Sequence, residues 1–341
     1  RPEMNEEHSA VFCSGLQDRI AGSGAEARRK IKMELMGSVL LLCVGFVMLI
    51  KGSDFFVEGA SRIAEKFGIP QLVIGLTIVA MGTSAPEAAV SITAALRGNA
   101  DITVGNVVGS NILNILVILG LSAVVAPLAV TKSTVLCEIP FMIGITLLLL
   151  LFSAGGNIGL LDGILLMLLF LVYLAYLFRM AKKGEASTPA LERKFRLWKS
   201  LIGTAAGLAL IVAGSYIAVD AASAVARLFG MTERFIGLTI VALGTSLPEL
   251  FTSVSAAAKG KADIAVGNIV GSNIFNILFV VGMSALITPV PFSGSFYEDT
   301  LAAVGAGILL LLFSVRKHRL NRLGGALLLA GYGIYFVFVC V

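Results

Sequence analysis

From about residue 35 onward the chain is built of apolar runs of roughly 20 to 30 residues separated by short polar breaks. That is the length a helix needs to cross the hydrocarbon core of a bilayer. The runs fall at about 35–64, 70–96, 102–126, 134–153 and 158–180, and then at about 200–227, 232–258, 264–288, 298–315 and 321–341. None alternates with period two, so helices are expected rather than the strands of a membrane barrel. The pattern predicts an all-α membrane protein with ten transmembrane helices. Residues 1–34 read as a polar extension, expected to be disordered, and lack the apolar core of a signal peptide. Met33 or Met36 would serve as an alternative start.

The pattern then repeats. The stretch GLTIVAMGTSAPE, from Gly75 to Glu87, returns as GLTIVALGTSLPE from Gly237 to Glu249. GNVVGSNILN, from Gly105 to Asn114, returns as GNIVGSNIFN from Gly267 to Asn276. The offset is 162 residues in both cases, and roughly 36 of about 64 positions from Phe67 to Val130 are identical to their partners. Two halves follow, 35–180 and 200–341, joined by a basic linker at 181–199. Five spans is an odd number, so the second half must enter the bilayer upside down relative to the first. Such inverted-topology repeats point to a transport site between the halves. Charge agrees. Lys182, Lys183, Arg193, Lys194, Arg196 and Lys199 place the linker in the cytoplasm, and Arg316, Lys317, Arg319 and Arg322 place the loop before the tenth span on the same side. The loops around Gly155 and Ser293 carry no Lys or Arg and fall opposite, leaving both termini outside. The basic group from Arg28 to Lys32 runs against this rule.

Composition narrows the function. The chain is 57% hydrophobic and 14% charged, with a mean hydropathy of +0.94, against about 25% charged residues in soluble domains. The net charge of +5 lies in loops between apolar runs, so no nucleic-acid partner is expected. Four cysteines form no CxxC, and both histidines, His8 and His318, lie outside the spans. Intramembrane zinc or serine hydrolysis therefore has no residues to run on. A channel stays open as an alternative.

The acidic residues carry the chemistry. Glu87 and Glu249 lie within spans, each after a Gly-Thr-Ser-x-Pro sequence. An ionised carboxylate there costs at least a few kcal/mol, and no Lys or Arg lies at matching depth, so the expected partner is an exchangeable cation. The bland alternative is a pair of protonated glutamates that support helix packing. Pro86 and Pro248 free the carbonyls of Gly82 and Gly244 four residues back, which are expected to be open oxygen ligands beside the carboxylates. Thr83, Ser84, Thr245 and Ser246 add hydroxyl oxygens. Asn106, Ser110 and Asn114 line one helical stripe, and Asn268, Ser272 and Asn276 line its copy. Interhelical hydrogen bonding is the competing reading of those stripes. Asn111 and Asn273 point partly away and read as packing or capping residues. Gly105 with Gly109, and Gly267 with Gly271, make small-residue faces for close helix approach. Two carboxylates with hydroxyl, amide and carbonyl oxygens, and neither sulfur nor imidazole, select hard cations such as Ca²⁺ and Na⁺. Two negative charges balance one divalent ion or two monovalent ones, so a third Na⁺ would make exchange electrogenic.

These paired motifs resemble the two alpha-repeats of the calcium/cation antiporter superfamily, sodium/calcium exchanger type. The resemblance implies Ca²⁺/Na⁺ antiport by alternating access across the plasma membrane, with no enzymatic activity, no bound cofactor and a monomeric functional unit. A Ca²⁺/H⁺ antiporter is the alternative. It further implies ligand roles for Glu87, Glu249, Thr83, Ser84, Thr245, Ser246, Ser110 and Ser272, for Asn114 and Asn276, and for the carbonyls of Ala80 and Ala242. Potassium-dependent members carry Asp where Asn276 stands, so potassium independence is expected. The helices around Glu58 and Asp220, matched at the same offset, are the expected moving pair. Helix-end charges facing the headgroups are the plainer reading of those two acids.

Overall fold

The computed structural model describes residues 25–185, 197–231, 242–292 and 294–340. The first half contains α1 (Ala25–Phe67), α2 (Gln71–Thr83), α3 (Ala85–Leu96), α4 (Ile102–Val125), α5 (Thr134–Gly155) and α6 (Leu160–Glu185). The second contains α7 (Leu197–Leu228), α8 (Ala242–Thr245), α9 (Leu247–Ala258), α10 (Ala262–Ile287), α11 (Gly294–Val315) and α12 (Arg322–Cys340). Among the described residues seven helices are long and apolar enough to cross a bilayer, eight when α2 and α3 count as one bent span. In α12 the apolar stretch is shorter, Arg322–Phe338, and the start of the expected seventh span, 232–241, lies outside the described residues.

Two expected boundaries move. The helix of the first span begins at Ala25, not near residue 35, because the polar run from Glu26 to Lys32 is made of good helix formers that extend an existing helix. Residues 25–34 are therefore helical, while 1–24 lie outside the described residues. The linker is also shorter than 181–199, since α6 continues to Glu185 and α7 starts at Leu197.

Burial sorts the helices into a core and a periphery. Nearly all of α10 is enclosed by protein, and most of α4 is, whereas α1, α6 and α7 expose most of their surface. Two short antiparallel ladders bind the ends of the bundle. Leu128–Ala129 (β1) pairs with Arg319–Leu320 (β4), and Asn157–Ile158 (β2) pairs with Val290–Pro291 (β3). At the 162-residue offset β1 matches β3 and β2 matches β4, so each ladder joins one loop of each half.

The outer helices α1 and α7 pack along most of their length. A Cβ added at Gly45 would meet the Gly214 carbonyl at 2.9 Å, and one at Gly52 would meet the Gly207 carbonyl at 2.9 Å. Further along, Gly59 faces the Ser200 carbonyl and Thr204. The numbers rise on α1 as they fall on α7, so the pair is antiparallel. Glycines at seven-residue spacing let the backbones touch, which is how membrane helices gain packing energy when lipid is as apolar as leucine. Gly45 matches Gly207 and Gly52 matches Gly214, so the contact is self-complementary about a pseudo-twofold axis.

Candidate cation site

The repeated Gly-Thr-Ser-x-Pro-Glu sequence breaks its helix in both halves. Between α2 and α3 the axis bends by 49°. Ser84 sits at the break with φ −83° and ψ 6°, and Ser246 sits between α8 and α9 with φ −89° and ψ 3°. Pro86 and Pro248 fall in the first turn of the new helix, where a missing N–H is tolerated. The break thus places Glu87 and Glu249 in the first turns of α3 and α9, at the positive end of each helix dipole. Each carboxylate is only 1% exposed.

The freed carbonyls do not behave alike. Ser215 Oγ of α7 donates to the Gly244 carbonyl at 2.7 Å, so this oxygen is engaged, contrary to the expectation of an open ligand. The matched Ser53 of α1 instead donates to Ile50 O on its own helix at 2.9 Å. A serine has one proton to donate, and the two halves direct it differently.

Across the molecular centre the halves hold one another. Ser84 Oγ donates to Glu249 Oε1 at 2.7 Å, and Ser246 Oγ to Glu87 Oε1 at 3.5 Å. Each glutamate is thus bound by the serine three residues ahead of the other glutamate, and both carboxylates face one shared site. The polar stripes on α4 and α10 position them. Asn106 Nδ2 donates to Glu87 O at 3.2 Å and to Ser91 Oγ at 2.9 Å. Asn268 Nδ2 donates to Glu249 O at 3.4 Å and to Ser253 Oγ at 2.9 Å. Thr83 Oγ1 donates to Asn268 Oδ1 at 3.0 Å, and Ser272 Oγ lies 3.4 Å from Ala80 O and 3.5 Å from Glu249 Oε1. Gly267 and Gly271 make this possible, because an added Cβ there would meet α2 at 2.9 Å and 2.8 Å.

Asn111 and Asn273 have a more specific place than packing. Asn111 Nδ2 donates to Asn273 O at 3.2 Å, and Asn273 Nδ2 to Asn111 O at 3.1 Å. Their side-chain oxygens receive Asn276 Nδ2 at 3.2 Å and Asn114 Nδ2 at 2.9 Å. This clasp orients Asn114 and Asn276, which each open a widened π-helical turn of a kind frequent at functional sites. The signal was present in the sequence, since both asparagines belong to the duplicated Gly-Ser-Asn. What it lacked was the knowledge that α4 and α10 cross there.

Of the buried oxygens without a hydrogen-bond partner among the described residues, four belong to these glutamates and asparagines: Glu87 Oε2, Glu249 Oε2, Asn114 Oδ1 and Asn276 Oδ1. They form two pairs at the 162-residue offset. Buried acceptors without donors are costly, and acceptors only are what a bare cation seeks. Thr83, Ser84, Ser246 and Ser272 bond within this cluster, while Ser110 is buried on α4 and Thr245 is half-buried in α8. Ala80 O also accepts the Ser84 N–H at 3.0 Å, and Ala242 opens α8. Glu58 pairs with Lys261 at 2.9 Å and with Arg62 at 2.9 Å, whereas its counterpart Asp220 is exposed. The expected Glu58–Asp220 match therefore does not extend to their surroundings.

The model of the "Sodium/calcium exchanger protein" family matches residues 37–179 and 199–341. The inner membrane protein YrbG of Escherichia coli (strain K12) is 40% identical over 265 residues, which cover 73% of this chain and 79% of that protein. The sodium/calcium exchanger MaX1 of Methanosarcina acetivorans is 34% identical over 341 residues, covering 87% of this chain and 97% of MaX1. A solved structure of the sodium-calcium exchanger NCX_Mj, soaked with Na⁺ and Sr²⁺, superposes with a TM-score of 0.79 at 32% identity, over 89% of this chain and 99% of that one.

Proposed function

Because the chain belongs to the sodium/calcium exchanger family, a family of membrane-spanning secondary transporters and not of enzymes, we propose that it exchanges Ca²⁺ for Na⁺ across the plasma membrane by alternating access. The observation that carries this reading is the set of four donor-free oxygens of Glu87, Glu249, Asn114 and Asn276 at the interface of the two halves. Thr83, Ser84, Ser110, Thr245, Ser246, Ser272 and the carbonyls of Ala80 and Ala242 complete the coordination. Two carboxylates neutralise one Ca²⁺ or two Na⁺, and a third Na⁺ carries net charge across the membrane. Asn276 cannot ionise, so no K⁺ is needed to balance it.

In this reading ten helices form two inverted repeats, 35–180 and 200–341, with the linker in the cytoplasm and both termini outside. The antiparallel α1–α7 pair supports the inversion, because matched helices of an inverted repeat must run in opposite directions. This pair shifts over the site and opens it to one side at a time. A single chain contains the complete ligand set and works as a monomer.

The test is flux of ⁴⁵Ca²⁺ into vesicles with Na⁺, K⁺ and H⁺ gradients imposed separately. Uptake follows the Na⁺ gradient, produces a membrane potential, and is lost in Glu87→Gln and Glu249→Gln while the folded protein persists. Uptake driven by the pH gradient alone would establish a Ca²⁺/H⁺ antiporter instead, and full flux in either variant would refute the site.

A further inference from the structure

Away from the central site, a cavity of about 290 Å³ opens between α5 and α6, lined by Cys137, Glu138, Phe141, Val172, Tyr173 and Tyr176. Glu138 is 1% exposed. Its Oε1 receives the Tyr176 hydroxyl, but its Oε2 and the Tyr173 hydroxyl are buried without partners. No basic side chain lines the cavity. Phe141 and Tyr173 stack at 5.7 Å between ring centroids to form an aromatic wall. Cys137 and Val172, both exposed, stand at the mouth on the outer face of the bundle, where the bilayer lies.

The two halves differ here. At the 162-residue offset Thr300 stands for Glu138 and Phe338 for Tyr176. The nearest equivalent of Glu138 is Asp299, one position before Thr300, which accepts from Tyr335, the match of Tyr173, at 2.8 Å, so the unpartnered carboxylate oxygen and tyrosine hydroxyl occur in the first half.

Its depth is informative. Lys132 precedes Glu138 by six residues, about 9 Å along a helix, and Arg179 follows Tyr176 by three, about 4.5 Å. Both basic residues are exposed. The carboxylate therefore sits just inside a basic rim, at the boundary between headgroups and acyl chains.

We propose that this cavity binds a phospholipid bearing a primary ammonium headgroup. The ammonium supplies N–H donors to the two orphan acceptors, Glu138 Oε2 and the Tyr173 hydroxyl. Phe141, Tyr173 and Tyr176 surround its charge as aromatic faces do, and Lys132 and Arg179 meet the phosphate. A quaternary ammonium has charge but no N–H, so the site discriminates ethanolamine from choline headgroups.

The test uses the full chain in nanodiscs of phosphatidylglycerol, alone or with phosphatidylethanolamine or phosphatidylcholine added. The rate of N-ethylmaleimide addition at Cys137 is read by peptide mass spectrometry, with exposed Cys43 on α1 as the internal reference. Phosphatidylethanolamine slows Cys137 labelling about threefold, as for a site filled at twice its dissociation constant, and raises the unfolding temperature. Phosphatidylcholine does neither. Glu138→Gln abolishes both effects, and Tyr173→Phe, which removes one acceptor and preserves the ring, weakens them. Equal protection by both lipids, protection that survives Glu138→Gln, or no protection would overturn the proposal. Because the readout is binding, it is independent of whether Na⁺ or H⁺ drives transport.

Discussion

Replacing Asn273 by alanine tests the clasp that joins the two halves. The substitution removes the bond from Asn273 Nδ2 to Asn111 O at 3.1 Å and the acceptor for Asn114 Nδ2 at 2.9 Å. Each side-chain bond inside a membrane protein contributes about 0.6 kcal/mol on average. The stranded Asn114 amide, 1% exposed, adds about 1–3 kcal/mol for a buried donor with no acceptor. The expected loss is therefore about 2–4 kcal/mol, most of it from the orphaned amide. By the pseudo-twofold relation Asn111→Ala carries the same penalty, since it strands Asn276 in the same way. Thermal unfolding of purified protein should show both variants lowered by on the order of 5 °C. The double variant Asn114→Ala/Asn273→Ala should recover part of the loss, because the orphan is then gone, with a coupling of about 0.5–3 kcal/mol. A shift near zero for Asn273→Ala, or strictly additive single effects, would refute the assignment of this bond as an energetic link.

Other consequences follow from the same geometry. Lys259 binds Asp54 at 2.8 Å and Lys261 binds Glu58 at 2.9 Å, tying α1 to the turn between α9 and α10. These half-exposed pairs contribute about 0.5–1 kcal/mol each, so Lys259→Met with Lys261→Met should speed hydrogen exchange in the last three turns of α1 up to about tenfold, an effect that high salt should reproduce in the unmodified protein. At Gly207 an added methyl would lie 2.5 Å from Phe56 N and 2.7 Å from Gly52 O. Gly207→Ala should push α1 and α7 apart, destabilise the fold by about 1–3 kcal/mol and depress ⁴⁵Ca²⁺ flux; a neutral result would mean the helices do not touch. Ser215→Ala leaves the Gly244 carbonyl without its donor and should destabilise by about 1–2 kcal/mol. The matched Ser53→Ala, which loses only a bond within its own helix, should change the melting temperature far less.

Particular residues show how far the chain could be read unaided. The duplicated glutamates were legible because a carboxylate in an apolar run is costly, so its retention at two matched positions demands a counter-charge. The serines and threonines beside them were legible as hydroxyl groups of the same duplicated stretch, while their partners were not: the fold turns Ser84 and Ser246 each onto the glutamate of the other half. The carbonyl of Gly244 was misread as open, because a proline four residues ahead reports a freed acceptor but not the serine on another helix that fills it. The role of Glu58 was similarly out of reach, since its partner Lys261 lies 203 residues away and appears in no repeat-matched position.

The sequence by itself determined the class of protein, the duplication and the two matched acids set in apolar runs. These follow from local physical chemistry: apolar length, charge cost and self-similarity are all properties read along the chain. Only the tertiary structure decided which oxygens stay without a hydrogen-bond partner and which are consumed by neighbours. It also decided that Asn111 clasps Asn273 and that α1 meets α7 glycine to glycine. Those outcomes depend on where two helices cross, and a crossing is set by complementary surfaces on segments far apart in the chain, which no stretch of either segment encodes alone.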